Sequence, residues 1–408
     1  MKKKVLLVVS VLVILMLAMS ACAPKPAAEE AGPVVIRLWT KEGEADGGYQ
    51  YVVALTEKFT AENPDVTFEV VNKEVETLRE DFQTSSLAGD PPELLWTVSD
   101  HAGPFTAADL IQPVENLFDM SAYNAAVEMA GHTWGVPIST GNHLMLIYNK
   151  DLIAEAPKDT DEMIKVGMEL TGDGMYGLVF NQTEPFWLVP WLGGFGGSVF
   201  AEDGYTPTLD TKAMVDTLQF VYDLKYTTPI LPAESDYDGA DALFKEGKAA
   251  MIINGDWSLG GYAEALGDKM GVASIPMVSA TGKYPAPYTA GTYFMLPKSL
   301  SGAKLDAVVK FVEFATNDAN QLAQLDELKR LPGKAALLDN EAITSDPILS
   351  GSADDLANGV PMPVVLEMRC NWDSMKPELQ AVLADTTDAA TAAANMQAAA
   401  EACVVDLE

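Results

Sequence analysis

The sequence predicts an α/β protein of two lobes with a helical C-terminal segment. Three observations carry this. Short apolar runs of strand length alternate with segments of helical three-to-four spacing, the chain of 408 residues exceeds one ordinary domain, and helical periodicity dominates from about residue 303 onward.

VVIRLW (34–39) is an apolar run suited to a buried parallel strand. In YQYVVALTEKFTAENPDV the residues Val52, Leu55 and Phe59 keep helical spacing, and Asn63 with Pro64 stops the helix before the strand TFEVVN. A second helix, about 75–87, runs to Gly89, and Pro91 and Pro92 then introduce the strand ELLWTV. The same grammar resumes after GVPISTGNHLMLIYNKDLI, with helices around 160–171, 211–225 and 238–246. Gly247 ends the last of these and AAMIIN (249–254) is the strand it feeds. DWSLGGYAEAL reads as a helix start with Asp256 near its N-terminus. In the C-terminal part, KLDAVVKFVEFATND and a final pair of helices complete the chain.

The N-terminus has a different character. Lys2, Lys3 and Lys4 precede a predominantly apolar run, Val5 to Ala18, followed by Met19, Ser20, Ala21 and Cys22. The run is shorter than the roughly 20 residues of a spanning helix, and small residues before a cysteine suit a cleaving peptidase. The end resembles a lipobox with Met19 where Leu is usual. Residues 1–21 are therefore expected to be a lipoprotein signal peptide, Cys22 the lipid anchor that ties the protein to a membrane, and 22–33 a disordered tether.

With 26 basic and 59 acidic residues the net charge is −33, and loss of the three signal lysines takes it to −36. Such a surface repels phosphate backbones, so nucleic acid is not an expected partner. An apolar fraction of 48% supplies ample area to bury, which excludes general disorder. His101, His132 and His143 are scattered outside any metal-binding spacing, and no metal or cofactor is expected. With Cys22 set aside, Cys370 and Cys403 remain in an oxidising compartment. They lie equidistant from a turn at 385–388 between two predicted helices, which places them level in an antiparallel hairpin and makes them a candidate disulfide.

Catalytic signatures are mostly absent. There is no GxSxG, and FKEGKAAM (244–251) fails as a phosphate loop because Ala242, five residues before Gly247, stands where the first Gly is needed. Glu184 and Asp256 could serve a glycosidase, but an acidic chain supplies such pairs freely. More informative is FNQTEPFWLVPWLGGFGG (180–197), where a Glu-Pro step, bulky rings and glycines share one stretch that is neither core strand nor linker.

Several segments together resemble the extracellular solute-binding proteins of sugar ABC importers, most closely the maltose and maltodextrin group: GVPIS with LIYNKDLI (135–153), VFNQTEPFW (179–187), ALFKEGKAAMIINGDW (242–257) and EMRCNW (367–372). The resemblance implies a two-lobed, periplasmic-binding-protein-like (type II) fold, with residues 34–140 and 291–332 in one lobe and 141–290 and 333–408 in the other. Crossings are expected near Gly141, 288–291 and 331–334, with a ligand cleft that closes by hinge rotation. It further implies rings that stack on sugar at Trp96, Phe186, Trp257 and Trp372, and hydroxyl-binding acids at Asp100 and Glu184. Sugar rings have apolar C–H faces and a polar rim, so rings and carboxylates are the matching groups. Trp187 and Trp191 read as core.

Departures limit the ligand. TGNH stands where the group carries a Glu, so Asn142 or His143 takes that place. His101 replaces an Arg, Lys41 and Glu42 replace an Asp-Lys pair, and Arg369 and Asn371 add polar groups beside Trp372. The expected function is capture of a di- or oligosaccharide by a monomeric, non-catalytic, membrane-anchored subunit that delivers it to ABC permease subunits. The alternatives are a binding protein for a cationic molecule such as a polyamine and a lipoprotein glycan hydrolase.

Overall fold

The computed structural model describes residues 33–124 and 127–407. The expected signal peptide, the tether up to residue 32 and Cys22 lie outside them. The chain opens with β1 (Val34–Thr40), α1 (Gly48–Glu62), β2 (Val66–Asn72), α2 (Val75–Leu87), β3 (Leu94–Val98), a short α3 (Ala102–Ala107), the small pair β4 (Glu128–Met129) and β5 (His132–Thr133), and β6 (Val136–Gly141). It continues through β7 (Leu144–Asn149), α4 (Thr160–Leu170), β8 (Tyr176–Val179), α5 (Val189–Gly194), α6 (Lys212–Tyr226), α7 (Tyr237–Lys245), β9 (Ala249–Gly255), α8 (Leu259–Leu266), β10 (Met270–Ala273) and β11 (Tyr288–Met295). The remainder is α9 (Gly302–Ala315), α10 (Asp318–Leu328), α11 (Glu341–Thr344), α12 (Pro347–Asp355), β12 (Val360–Pro361), α13 (Glu367–Leu383) and α14 (Ala389–Leu407).

Two sheets organise these elements. In the first, β12, β11, β3, β1 and β2 lie side by side and β6 also pairs with β11. β1 runs parallel to β2 and β3, as the strand-helix alternation predicts, whereas β11 returns antiparallel with Thr292 opposite Val98. The second sheet has the order β10-β7-β9-β8. Each sheet is covered on both faces. Ile36, Leu38, Leu94 and Phe294 of the first pack with Val52, Phe59, Val308 and Phe311 of α1 and α9, while Leu95 and Met295 meet Leu78 and Phe82 of α2 on the other side. Leu146 and Ile253 of the second pack toward Leu218, Val221, Met375 and Met396, and Ile147 and Ile252 toward Phe244 and Tyr262. This double burial explains why these strands read as continuous apolar runs.

Apart from the two-residue β12, which pairs with the start of β11, the described chain passes between the sheets at three places. Between β6 and β7, Gly141 has φ 113° and Asn142 φ 45°. A Cβ at Gly141 would lie 2.5 Å from the Asp256 carboxylate, so conformation and space both demand glycine there. β10 belongs to one sheet and β11 to the other. After α10, Leu331 accepts from the Thr140 amide at 3.1 Å and Pro332 bridges Ser139, before α12 sets Gly351 against Val272 of β10. At the C-terminus, α13 and α14 form a hairpin through Asp385 (φ 57°), and a disulfide joins Cys370 to Cys403 with Cα atoms 5.6 Å apart.

Candidate functional site

β9 ends at Gly255, and the turn Asp256–Ser258 that follows folds the Trp257 ring back over it. A Cβ at Gly255 would fall within 2.1–2.3 Å of that ring, so the glycine creates the ring's seat. Pro185 begins the single turn Pro185–Trp187 and presents Phe186, and α13 presents Trp372 from its first half. These three half-buried rings meet. Phe186 lies 6.1 Å from Trp257 and 6.3 Å from Trp372 between centroids, and Tyr288 stands edge-on to Trp372 at 6.1 Å. Trp187 and Trp191 are core, as expected; Trp187 is 7% exposed and its Nε1–H donates to the Ile253 carbonyl at 2.9 Å.

Groups from the first sheet reach the outer two rings. Lys41 Nζ lies 5.7 Å from the Trp257 centroid, and Trp372 Nε1–H donates to Asp100 Oδ2 at 3.3 Å. Asp100 sits on the turn after β3. Burial, then the nearby Glu76, pushes its carboxyl up to about 7, while the Trp372 N–H and Arg79 oppose the shift. Lys41 and Glu42 belong to a buried ion cluster with Arg330. Glu42 Oε2 is 2.7 Å from Arg330 Nη1, its Oε1 is 3.3 Å from Lys41 Nζ, and Arg330 Nη2 donates to the Trp257 carbonyl at 3.2 Å. Burial alone would raise Glu42, but Arg330 and Lys41 outweigh it and hold the carboxyl below its usual range. Lys41 is lowered by burial even beside Glu42. Glu184 lies at the rim, ion-paired with Lys376 of α13.

One site residue read from sequence is misplaced. Trp96 is fully buried among Tyr51, Phe294 and the α1 face of the first sheet, so its ring has no surface for a ligand. Strand alternation is the reason. Leu94 and Trp96 share the face turned to α1, and the next side chain that leaves this layer for the site is Asp100, beyond the strand's end. His101 does not stand in for an arginine either. It is 1% exposed, hydrogen-bonded through Nδ1 to Thr97 Oγ1 at 2.7 Å, and burial lowers it to about 3, which keeps it neutral. Of the two residues in place of the family glutamate, His143 is buried against the Ser352 carbonyl, 3.0 Å from its Nε2. Asn142 gives its backbone N–H to Asp256 Oδ2 at 3.0 Å. Arg369 is 43% exposed and turned to Asp373 one turn along α13, and Asn371 is fully buried toward Val199.

Sequence reading missed Arg330, Asp46 and Tyr237. Arg330 carried a faint signal, an arginine between Lys329 and Leu331-Pro332 at a predicted crossing. The others become visible only through their neighbours in space.

Residues 54–351 match the family described as bacterial extracellular solute-binding protein. The chain is 28% identical over 349 residues to the maltotriose-binding protein of Pyrococcus abyssi, covering 82% of this chain and 75% of that one. It is 24% identical over 323 residues, 75% of each chain, to a maltooligosaccharide ABC transporter solute-binding lipoprotein of Streptococcus pneumoniae. Among solved structures, the maltose/maltodextrin-binding domain MalE from Bdellovibrio bacteriovorus, bound to maltotriose, matches with a TM-score of 0.88 and 37% identity, covering 91% of this chain and all of that one.

Proposed function

The chain belongs to the bacterial extracellular solute-binding proteins, and from that premise we propose that it captures a malto-oligosaccharide for an ABC importer. The observation that carries this reading is the ring row Trp257, Phe186, Trp372, touched from the opposite sheet by Lys41 and Asp100. Rings suit the apolar faces of successive glucosyl units, and the carboxylates and Lys41 suit their hydroxyls. The two sheets form the cores of two lobes, 34–140 with 291–332 and 141–290 with 333–408, which hinge at the three crossings. Sugar contacts both lobes only when they are closed, so binding shifts the population toward the closed form that the permease subunits recognise.

The protein catalyses nothing in this reading. Glu184 is engaged by Lys376 and Asp256 by the Asn142 amide, so the two carboxylates have separate partners rather than one bond to flank. The polyamine reading is weakened likewise, because Glu42 is neutralised by Arg330 and Lys41. The protein acts outside the cytoplasm as a monomer, held by a lipid on Cys22; Cys22→Ala should move it from the membrane to the soluble fraction. A thermal-shift screen over maltotriose, other sugars and spermidine tests the function. A ligand at about a hundred times its Kd stabilises by about 2.7 kcal/mol, so maltotriose should raise the melting point. A rise with spermidine alone would overturn the reading.

A further inference from the structure

The loop between β1 and α1 reaches across to α7, and the contact there ends on the Trp257 ring. Tyr237, at the start of α7, places its hydroxyl 2.8 Å from Asp46 Oδ2, 2.8 Å from Ser258 Oγ and 3.1 Å from Trp257 Nε1. A phenol has one proton to donate and two lone pairs to accept with. The indole N–H is only a donor and the carboxylate only an acceptor, so Tyr237 accepts from Trp257 and donates to Asp46. Ser258 Oγ already receives the Asn254 side-chain N–H at 3.1 Å, which leaves its own proton for Tyr237. All three capacities of the hydroxyl are then used. Lys245, also on α7, fastens the same loop by donating to the Ala45 carbonyl at 3.1 Å, with its Nζ 3.6 Å from Asp46 Oδ1. Asp46 is 7% exposed, so water does not compete freely for the bond.

We propose that Tyr237 is a positioning residue and, with Asp46, forms a latch between the lobes that fixes the plane of the Trp257 ring when the cleft closes and slows ligand release. When the lobes separate, Asp46 leaves with the first sheet. Tyr237 then regains a free proton, its hydroxyl can rotate, and the bond that orients the indole N–H loosens. Ring orientation and closure are thereby one event. Burial, then Asp46, raises the Tyr237 phenol well above its ordinary value, which keeps it a donor throughout the physiological range.

This rests on the sugar-capture reading, and a double-mutant cycle separates the two. Dissociation of maltotriose is followed by stopped-flow tryptophan fluorescence for the wild type, Asp46→Ala, Tyr237→Phe and the double variant, with melting points of the ligand-free proteins alongside. Asp46→Ala should speed dissociation about tenfold, the loss of one hydrogen bond to a charged group at the low end of its usual range, and Tyr237→Phe at least as much, because it also gives up the bonds to Ser258 and Trp257. The association rate and ligand-free melting point of Asp46→Ala should barely move, because the bond between the lobes does not exist in the open form. The double variant should dissociate no faster than the quicker single one, because both remove the same bond. Unchanged dissociation in Asp46→Ala, effects that multiply in the double variant, or a loss that tracks the ligand-free melting point would each overturn the latch. Should Tyr237→Phe fail to fold, Asp46→Ala, in a loop outside both hydrophobic cores, still decides through its dissociation rate. Failure of wild-type protein to bind maltotriose or any other sugar would instead overturn the sugar reading itself.

Discussion

Trimming Trp372 tests the site most sharply, because this residue joins the ring row and the bond between lobes. Trp372→Ala removes a ring that is half-buried beside Phe186 and Tyr288, together with the Nε1–H donated to Asp100. An aromatic stack contributes about 0.5–1.5 kcal/mol beyond its area, and a hydrogen bond a net of about 0.5–1.5 kcal/mol. Together these give about 1–3 kcal/mol, a loss of roughly 5- to 150-fold in affinity for maltotriose. Trp372→Phe keeps a ring and loses only the donor, so its loss should stop at roughly 2- to 10-fold. The assay is calorimetric titration of each variant, with ligand-free melting points measured in parallel. Equal binding by wild type and both variants would refute the reasoning, as would a loss in Trp372→Ala that simply follows a collapsed melting point.

Asp100 should make binding pH-dependent. Its pKa is raised to about 7 with the lobes in contact, so closure takes up a proton between the ordinary carboxylate value, about 3.9, and about 7. Affinity should therefore be greatest at the acid end, fall as pH rises through that window and level off above it. Asp100→Asn should flatten the slope, and a wild-type profile that is already flat would contradict the assignment. Breaking the Cys370–Cys403 bridge, which spans 33 residues, should cost about 3.7 kcal/mol by loop-closure entropy, read as a lower urea midpoint for Cys403→Ala; two titratable thiols in denatured, unreduced protein would contradict the bridge. Trp96→Ala should cost about 3–5 kcal/mol as a core truncation, visible in the ligand-free melting point, and a normal melting point with lost binding would return Trp96 to the site.

How much of this was legible in the sequence depends on how far apart the informative residues lie. β1, α1, β2, α2 and β3 could be read because each is specified locally, by an apolar run or by spacing closed by Asn63-Pro64, Gly89 or Pro91-Pro92. Phe186 stood out in a stretch that joins a Glu-Pro step, bulky rings and glycines, whereas Trp257 and Trp372 were placed by the resemblance to the maltose and maltodextrin group. The disulfide was readable because a hairpin makes two distant positions equivalent about one turn. Trp96 was misread because a strand gives alternate residues opposite fates, and proximity to Asp100 along the chain does not carry over to the same face. Arg330 left only a faint signal and Asp46 and Tyr237 none: they come from a crossing, a loop and a helix start, and only the packing of one sheet's loops against the other's helices brings their polar groups together.

The central claim is that sugar closes two lobes around itself, and small-angle X-ray scattering tests it most directly. Purified protein is measured alone and at saturating maltotriose, with saturation verified by calorimetry. The account predicts a smaller radius of gyration with maltotriose and none of that contraction with spermidine. An unchanged radius at verified saturation would contradict closure of the cleft on its ligand.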